Sequence, residues 1–130
     1  MPCLFPFKYS PSYSNLPLYD GNFLHGERNG KGKKYFLGKL EFEGEYLNGK
    51  KHGKGKEYNY DGILEYEGEY FNGQKYGKGK EFYDNGKLKF EGEFVNGMKN
   101  GQAKKYDDYD GEIIFEGKYI NGIKNKNSYY

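Results

Sequence analysis

The glycines restrict the fold more than any other feature. Aligned on Gly21, Gly44, Gly68, Gly92 and Gly117, the 130-residue chain divides into five tandem copies spaced 23, 24, 24 and 25 residues apart. A period in this range points to a repeat architecture, in which each copy is one supersecondary unit that buries its apolar face only against its neighbours. The copies read Tyr19-Asp-Gly-Asn-Phe-Leu-His-Gly26, Phe42-Glu-Gly-Glu-Tyr-Leu-Asn-Gly49, Tyr66-Glu-Gly-Glu-Tyr-Phe-Asn-Gly73, Phe90-Glu-Gly-Glu-Phe-Val-Asn-Gly97 and Phe115-Glu-Gly-Lys-Tyr-Ile-Asn-Gly122. They start near residues 19, 42, 66, 90 and 115. The chain therefore splits into a repeat array over 19–130 and a proline-punctuated segment over 1–18, expected to be a cap or a flexible tail.

Each copy alternates with the period of a strand. Leu40, Phe42, Gly44 and Tyr46 share one face and Glu41, Glu43 and Glu45 the other, and the order aliphatic, aromatic, glycine, aromatic recurs in the following three copies. Asn-Gly, or His25-Gly26 in the first copy, then supplies the positive φ of a tight reversal. A basic residue follows (Arg28, Lys51, Lys75, Lys99, Lys124), and in the first three copies a Gly-Lys-Gly-Lys return strand ends on an aromatic. A glycine on the buried face leaves room for a ring to approach the backbone. Tyr58 falls in phase with Lys54 and Lys56, so either a bulge intervenes or its ring lies on the other face. Two strands per copy at about 4.8 Å spacing predict a meander roughly 50 Å long.

Composition agrees. Hydrophobic residues make up only 35% of the chain, yet 16 Tyr and 10 Phe supply most of them, so any core is aromatic. Twenty-one Lys and Arg against 19 Asp and Glu leave a net charge of +2, too balanced to argue for a nucleic-acid partner. Cys3 is the only cysteine, which excludes an internal disulfide. The start lacks a charged leader with a long apolar run, so a cytoplasmic location is expected.

The aromatic-Glu-Gly-Glu-aromatic strand, Asn-Gly turn, basic residue and Gly-x-Gly return strand resemble the MORN repeat (membrane occupation and recognition nexus) over roughly residues 18–127. The resemblance implies an all-β, elongated, twisted single-layer antiparallel meander of tandem hairpins. It also implies an adaptor, a membrane-apposition module or a self-associating scaffold, with cytoskeletal or membrane association. Asn22 and Lys118 replace the second Glu in the outer copies.

Chemistry is discounted on pattern. His25 and His52 sit at different offsets and without a positioned partner, as turn residues do. Glu43/Glu45 recur as Glu67/Glu69 and Glu91/Glu93, as a structural repeat would and a single active site would not. Asp107, Asp108 and Asp110 lack the loop glycine and closing Glu of an EF-hand. No catalytic residue, cofactor or metal is assigned.

A single-layer sheet cannot cover both faces. The aromatic row Tyr46, Tyr70, Phe94 and Tyr119, or the second apolar row Leu47, Phe71 and Val95 with Leu24 and Ile120, is therefore expected to remain open as a groove for a partner helix or peptide. The strand at 115–122 offers an edge to a second copy of the chain. The alternative is a stripe of Lys31, Lys33, Lys54, Lys56, Lys78 and Lys80 facing anionic phospholipid headgroups, opposed by the neighbouring glutamates. The expectation is a non-enzymatic scaffold or adaptor.

Overall fold

The computed structural model describes residues 18–125 and consists of one antiparallel meander. Its strands are β1 (Leu18–Leu24), β2 (Glu27–Phe36), β3 (Lys39–Leu47), β4 (Lys50–Tyr58), β5 (Leu64–Phe71), β6 (Gln74–Phe82), β7 (Leu88–Val95), β8 (Met98–Tyr106), β9 (Ile113–Ile120) and β10 (Ile123–Lys124). Each pairs with the next in sequence, so spatial order equals chain order. The expected N-terminal cap or tail and the end of the fifth copy lie outside the described residues, apart from Leu18, which opens β1.

Asn48-Gly49 shows why the first reversal of each copy holds its length. Asn48 has φ 50° and Gly49 φ 82°, the paired positive values of a two-residue turn whose twist matches the strands it joins. The Gly49 amide also donates to the Arg28 carbonyl of the previous copy at 2.9 Å, and Gly73, Gly97 and Gly122 repeat this link to Lys51, Lys75 and Lys99. Turns therefore stack from copy to copy.

The registers bring the glycines into one row across the sheet. Gly21, Gly32, Gly44, Gly55, Gly68, Gly79, Gly92, Ala103 and Gly117 stand opposite one another from β1 to β9. Rings lie over this row. A Cβ on Gly55 would fall 2.5 Å from Phe42 Cζ, and one on Gly79 2.6 Å from Tyr66 Cε1. Absent side chains are thus the space in which the core sits.

That core is a continuous ladder. Phe23, Tyr19, Tyr46, Phe42, Tyr70, Tyr66, Phe94, Phe90, Tyr119 and Phe115 touch in that order, each pair edge to face with centroids 5.2 to 5.6 Å apart. Such pairs contribute about 0.5–1.5 kcal/mol each beyond the area they bury. Phe42 and Phe90 are completely buried although, among the described residues, no second layer covers them. The cover is cationic: Arg28 lies over Tyr19, Lys51 over Phe42, Lys75 over Tyr66, Lys99 over Phe90 and Lys124 over Phe115, at 4.2 to 5.0 Å from the centroids. Their stems and head groups together cover the rings. Burial over the rings pulls the Lys51 ammonium below its usual pKa, against the opposing pull of Glu57.

Both readings of Tyr58 prove correct. Its ring lies on the face opposite the ladder, where its hydroxyl donates to Glu43 at 2.6 Å, and a register shift falls beside it, where Tyr58 pairs with Leu64 while Glu57 pairs with Tyr66.

Candidate interaction face

The seven residues of the expected groove are divided between the two faces. Tyr46, Tyr70, Phe94 and Tyr119 belong to the ladder, buried by their neighbours and by the cationic lids, and so offer no open groove. The expectation that this row stays open is corrected by the lids, which do the work of a missing second layer. Leu47, Phe71 and Val95, one residue further along each strand, are exposed on the opposite face, as are Leu24 and Ile120.

Phe71 is the most prominent of these at 56% exposed, and it is not alone. The His52 ring lies 5.5 Å from it and Tyr76 5.6 Å on the other side. Val95 pairs with Met98 and Ile120 with Ile123 across their turns, all exposed. Tyr76, Met98 and Ile123 do not stand out in the sequence, because their columns are not apolar in the other copies: Met98 and Ile123 align with Glu27, Lys50 and Gln74, and Tyr76 with Asn29, His52, Asn100 and Asn125.

Beside this apolar rim runs a trough of about 1080 Å³, lined by Lys31, Lys33, Glu43, Glu45, Lys54, Lys56, Glu67, Glu69 and Lys78 over the exposed backbone of Gly32, Gly44, Gly55 and Gly68. A further 540 Å³ continues it to Glu116. The six lysines of the expected basic stripe all line these two stretches, and every one has an acidic residue directly across the register. Lys31 faces Glu45, Lys33 faces Glu43, Lys54 faces Glu69, Lys56 faces Glu67, Lys78 faces Glu93 and Lys80 faces Glu91. Lys56 and Glu67 close to 3.6 Å. The stripe is a set of bands that alternate in sign from strand to strand, each pair contributing on the order of 0.2–1 kcal/mol.

The second Glu of each central copy has a further task. Glu45 Oε2 accepts from the Lys54 amide, Glu69 Oε2 from the Lys78 amide and Glu93 Oε1 from the Gln102 amide. Each bond spans a bulge at Gly53, Gly77 or Gly101, where φ is positive. Tyr58 and Tyr106 close the far side of the trough by donating to Glu43 and Glu91. Desolvation and then the glutamate bond push both phenols up to about 12.

Among the described residues, the groups weighed for acid/base or metal chemistry have structural partners or places in turns. His52 packs on Phe71, the repeated glutamates hold amides and phenols, and Asp107 spends its carboxylate on the Tyr109 and Asp110 amides of its own turn. Among the described residues no group of three or more His, Cys, Asp or Glu converges as a metal site, and no helix is long and apolar enough to cross a membrane.

No curated protein matches the chain. The MORN repeat model matches at residues 19–36, 42–63, 66–87 and 90–111, four tandem segments that together cover more than half of it. The fifth hairpin, β9 with its Asn121-Gly122 turn, follows the last segment and repeats the same geometry. With the glycine row, the stacked turns and these four matched segments, the chain belongs to the MORN repeat family.

Proposed function

We propose that the array is a non-enzymatic scaffold that docks a partner protein on its trough face, anchored by the apolar rim Leu47, Phe71 and Val95. Membership in a family of generally non-catalytic repeat modules, tied to protein or membrane interactions, supports the broad reading. The observation that carries the finer one is the exposed ring cluster of Phe71, Tyr76 and His52 at the centre of the array. Burying one such ring releases about 1.5–3 kcal/mol, and contiguous exposed apolar surface beside polar walls is the usual mark of a docking site. The lysine stripe is weaker support for a membrane surface, because the glutamates opposite cancel the field that would attract headgroups.

Immobilised array is expected to retain a protein that Phe71→Ser, still folded by circular dichroism, no longer retains. Retention unchanged by Phe71→Ser would contradict the proposal. So would flotation of the array with anionic but not neutral liposomes, reversed by salt, which is the signature of headgroup attraction.

A further inference from the structure

Resting on the docking reading above, we infer that the occupant of the trough face is an amphipathic α-helix of about 20 residues lying across the strands, with charges that alternate in sign every three to four residues. Two spacings point to it.

Leu47, Phe71, Val95 and Ile120 come from β3, β5, β7 and β9, every second strand of the sheet. With neighbouring strands about 4.8 Å apart, the apolar anchors recur every ~9.6 Å and span ~29 Å. An α-helix rises 1.5 Å per residue, so seven residues cover ~10.5 Å and ~20 residues cover these four of the row's five anchors, leaving a mismatch of about 0.9 Å per anchor, ~2.7 Å in all, that side chains absorb. An extended segment returns to the same side every ~6.8 Å and loses step at once.

Charge decides between the helices. Next to the anchors run Lys31, Glu45, Lys54, Glu69, Lys78 and Glu93, reversing sign with each strand from β2 to β7 and so every ~4.8 Å, until Gln102 and Lys118 end the alternation on β8 and β9. A polyproline helix shows one residue per ~9.3 Å turn to a given side, so it could follow the anchors but meet only one sign of the charge row. An α-helix presents residues at i, i+3/i+4 and i+7, about every 5 Å, and can oppose each charge in turn. A uniformly acidic or basic partner would meet as many like charges as opposite ones, which is how a mixed row rejects wrong partners.

The probes are two synthetic 20-residue helical peptides of identical composition, with an apolar residue at every seventh position. In one, Glu and Lys alternate at three- and four-residue steps; in the other they are sorted into blocks. Fluorescence anisotropy against the full chain is expected to show the alternating peptide binding at least about ten-fold tighter, and Phe71→Ser or Val95→Ser, each checked for fold, abolishing it. Equal affinity for both peptides, lost in both variants, overturns the helix inference and leaves rim docking standing. Equal affinity that neither variant changes overturns both. Tighter binding of the blocked peptide, or no binding of either, overturns the inference.

Discussion

Two tyrosines at the same place in successive copies are predicted to respond unequally to the same substitution. The Tyr70 hydroxyl donates to Glu57 Oε2, and burial together with that bond raises its pKa well above the tyrosine range. Tyr46 occupies the same column one copy earlier, but the residue matching Glu57 there is Lys34, which is engaged with Glu41 at 3.5 Å. Tyr46 Oη is buried and makes no hydrogen bond of good geometry, with the Arg28 guanidinium beside it. A bond to a charged acceptor is worth about 1.5–3 kcal/mol, whereas a buried polar group left unpaired costs about 1–3. Glu57 keeps Lys51 at 3.9 Å after truncation, so Tyr70→Phe is expected to cost about 1–2 kcal/mol. Tyr46→Phe removes a hydroxyl that has Arg28 beside it but no well-formed bond, so it should cost less than Tyr70→Phe, about 0–1 kcal/mol. Urea unfolding at constant m-value reads both, and in a thermal scan each kcal/mol moves Tm by roughly 4 °C. Equal destabilisation by the two substitutions would refute the assignment of hydroxyl partners. A third variant sharpens the comparison: Lys34→Glu offers Tyr46 an acceptor, and Tyr46→Phe should then become more destabilising.

Other consequences follow from the ladder and its cover. Tyr70→Ser or Phe94→Ser removes a buried rung and should cost about 3–5 kcal/mol, enough to unfold much of the array, while Phe71→Ser on the exposed rim should stay within about 1 kcal/mol; circular dichroism and urea titration separate them. Lys75→Met keeps the stem over Tyr66 and loses only the charge, at about 0.5–1 kcal/mol, so Lys75→Ala, which also uncovers the ring, should cost more in the same titration. Alkaline stability has a defined window. The phenols of Tyr58 and Tyr106, raised to about 12 in the fold, contribute stability that is fully present below the ordinary tyrosine pKa near 10 and is lost as pH climbs toward 12; ultraviolet absorbance of tyrosinate should rise together with loss of strand signal, and titration of these residues near pH 10 with the sheet intact would contradict it.

The strands, turns and array were legible because glycine and Asn-Gly leave the backbone few alternatives, and their repetition averages out local noise. Even the lids were within reach: Lys51 alternates in phase with Gly53, Gly55 and Glu57, on the ladder side, as the register confirms by pairing it with Tyr46. A cation on the aromatic side reads as a break in the amphipathic pattern unless one sees that a sheet without a second layer needs long stems to close over its rings. For that reason alternation leaves two alternative open rows, one with Tyr46 and Tyr70 and one with Leu47 and Phe71, of which the second is exposed. That glutamates oppose the lysines of the Lys-Gly-Lys strands was legible in the repeated Glu pairs, and the pairing bears it out; which residue faces which depends on cross-strand register. That register is set by bulges such as the one at Gly53, which spacing alone does not locate.

Hydroxyl-radical footprinting of the full chain, with and without the alternating-charge helical peptide, tests the central claim most directly. Rapid oxidation of Phe71, Tyr76 and Met98, suppressed by the peptide, with Phe42 and Phe90 silent in both states, is the predicted outcome. Ready labelling of Phe42 or Phe90 would show that the lids do not close the ladder, and unprotected Phe71 in the bound state would place the partner elsewhere.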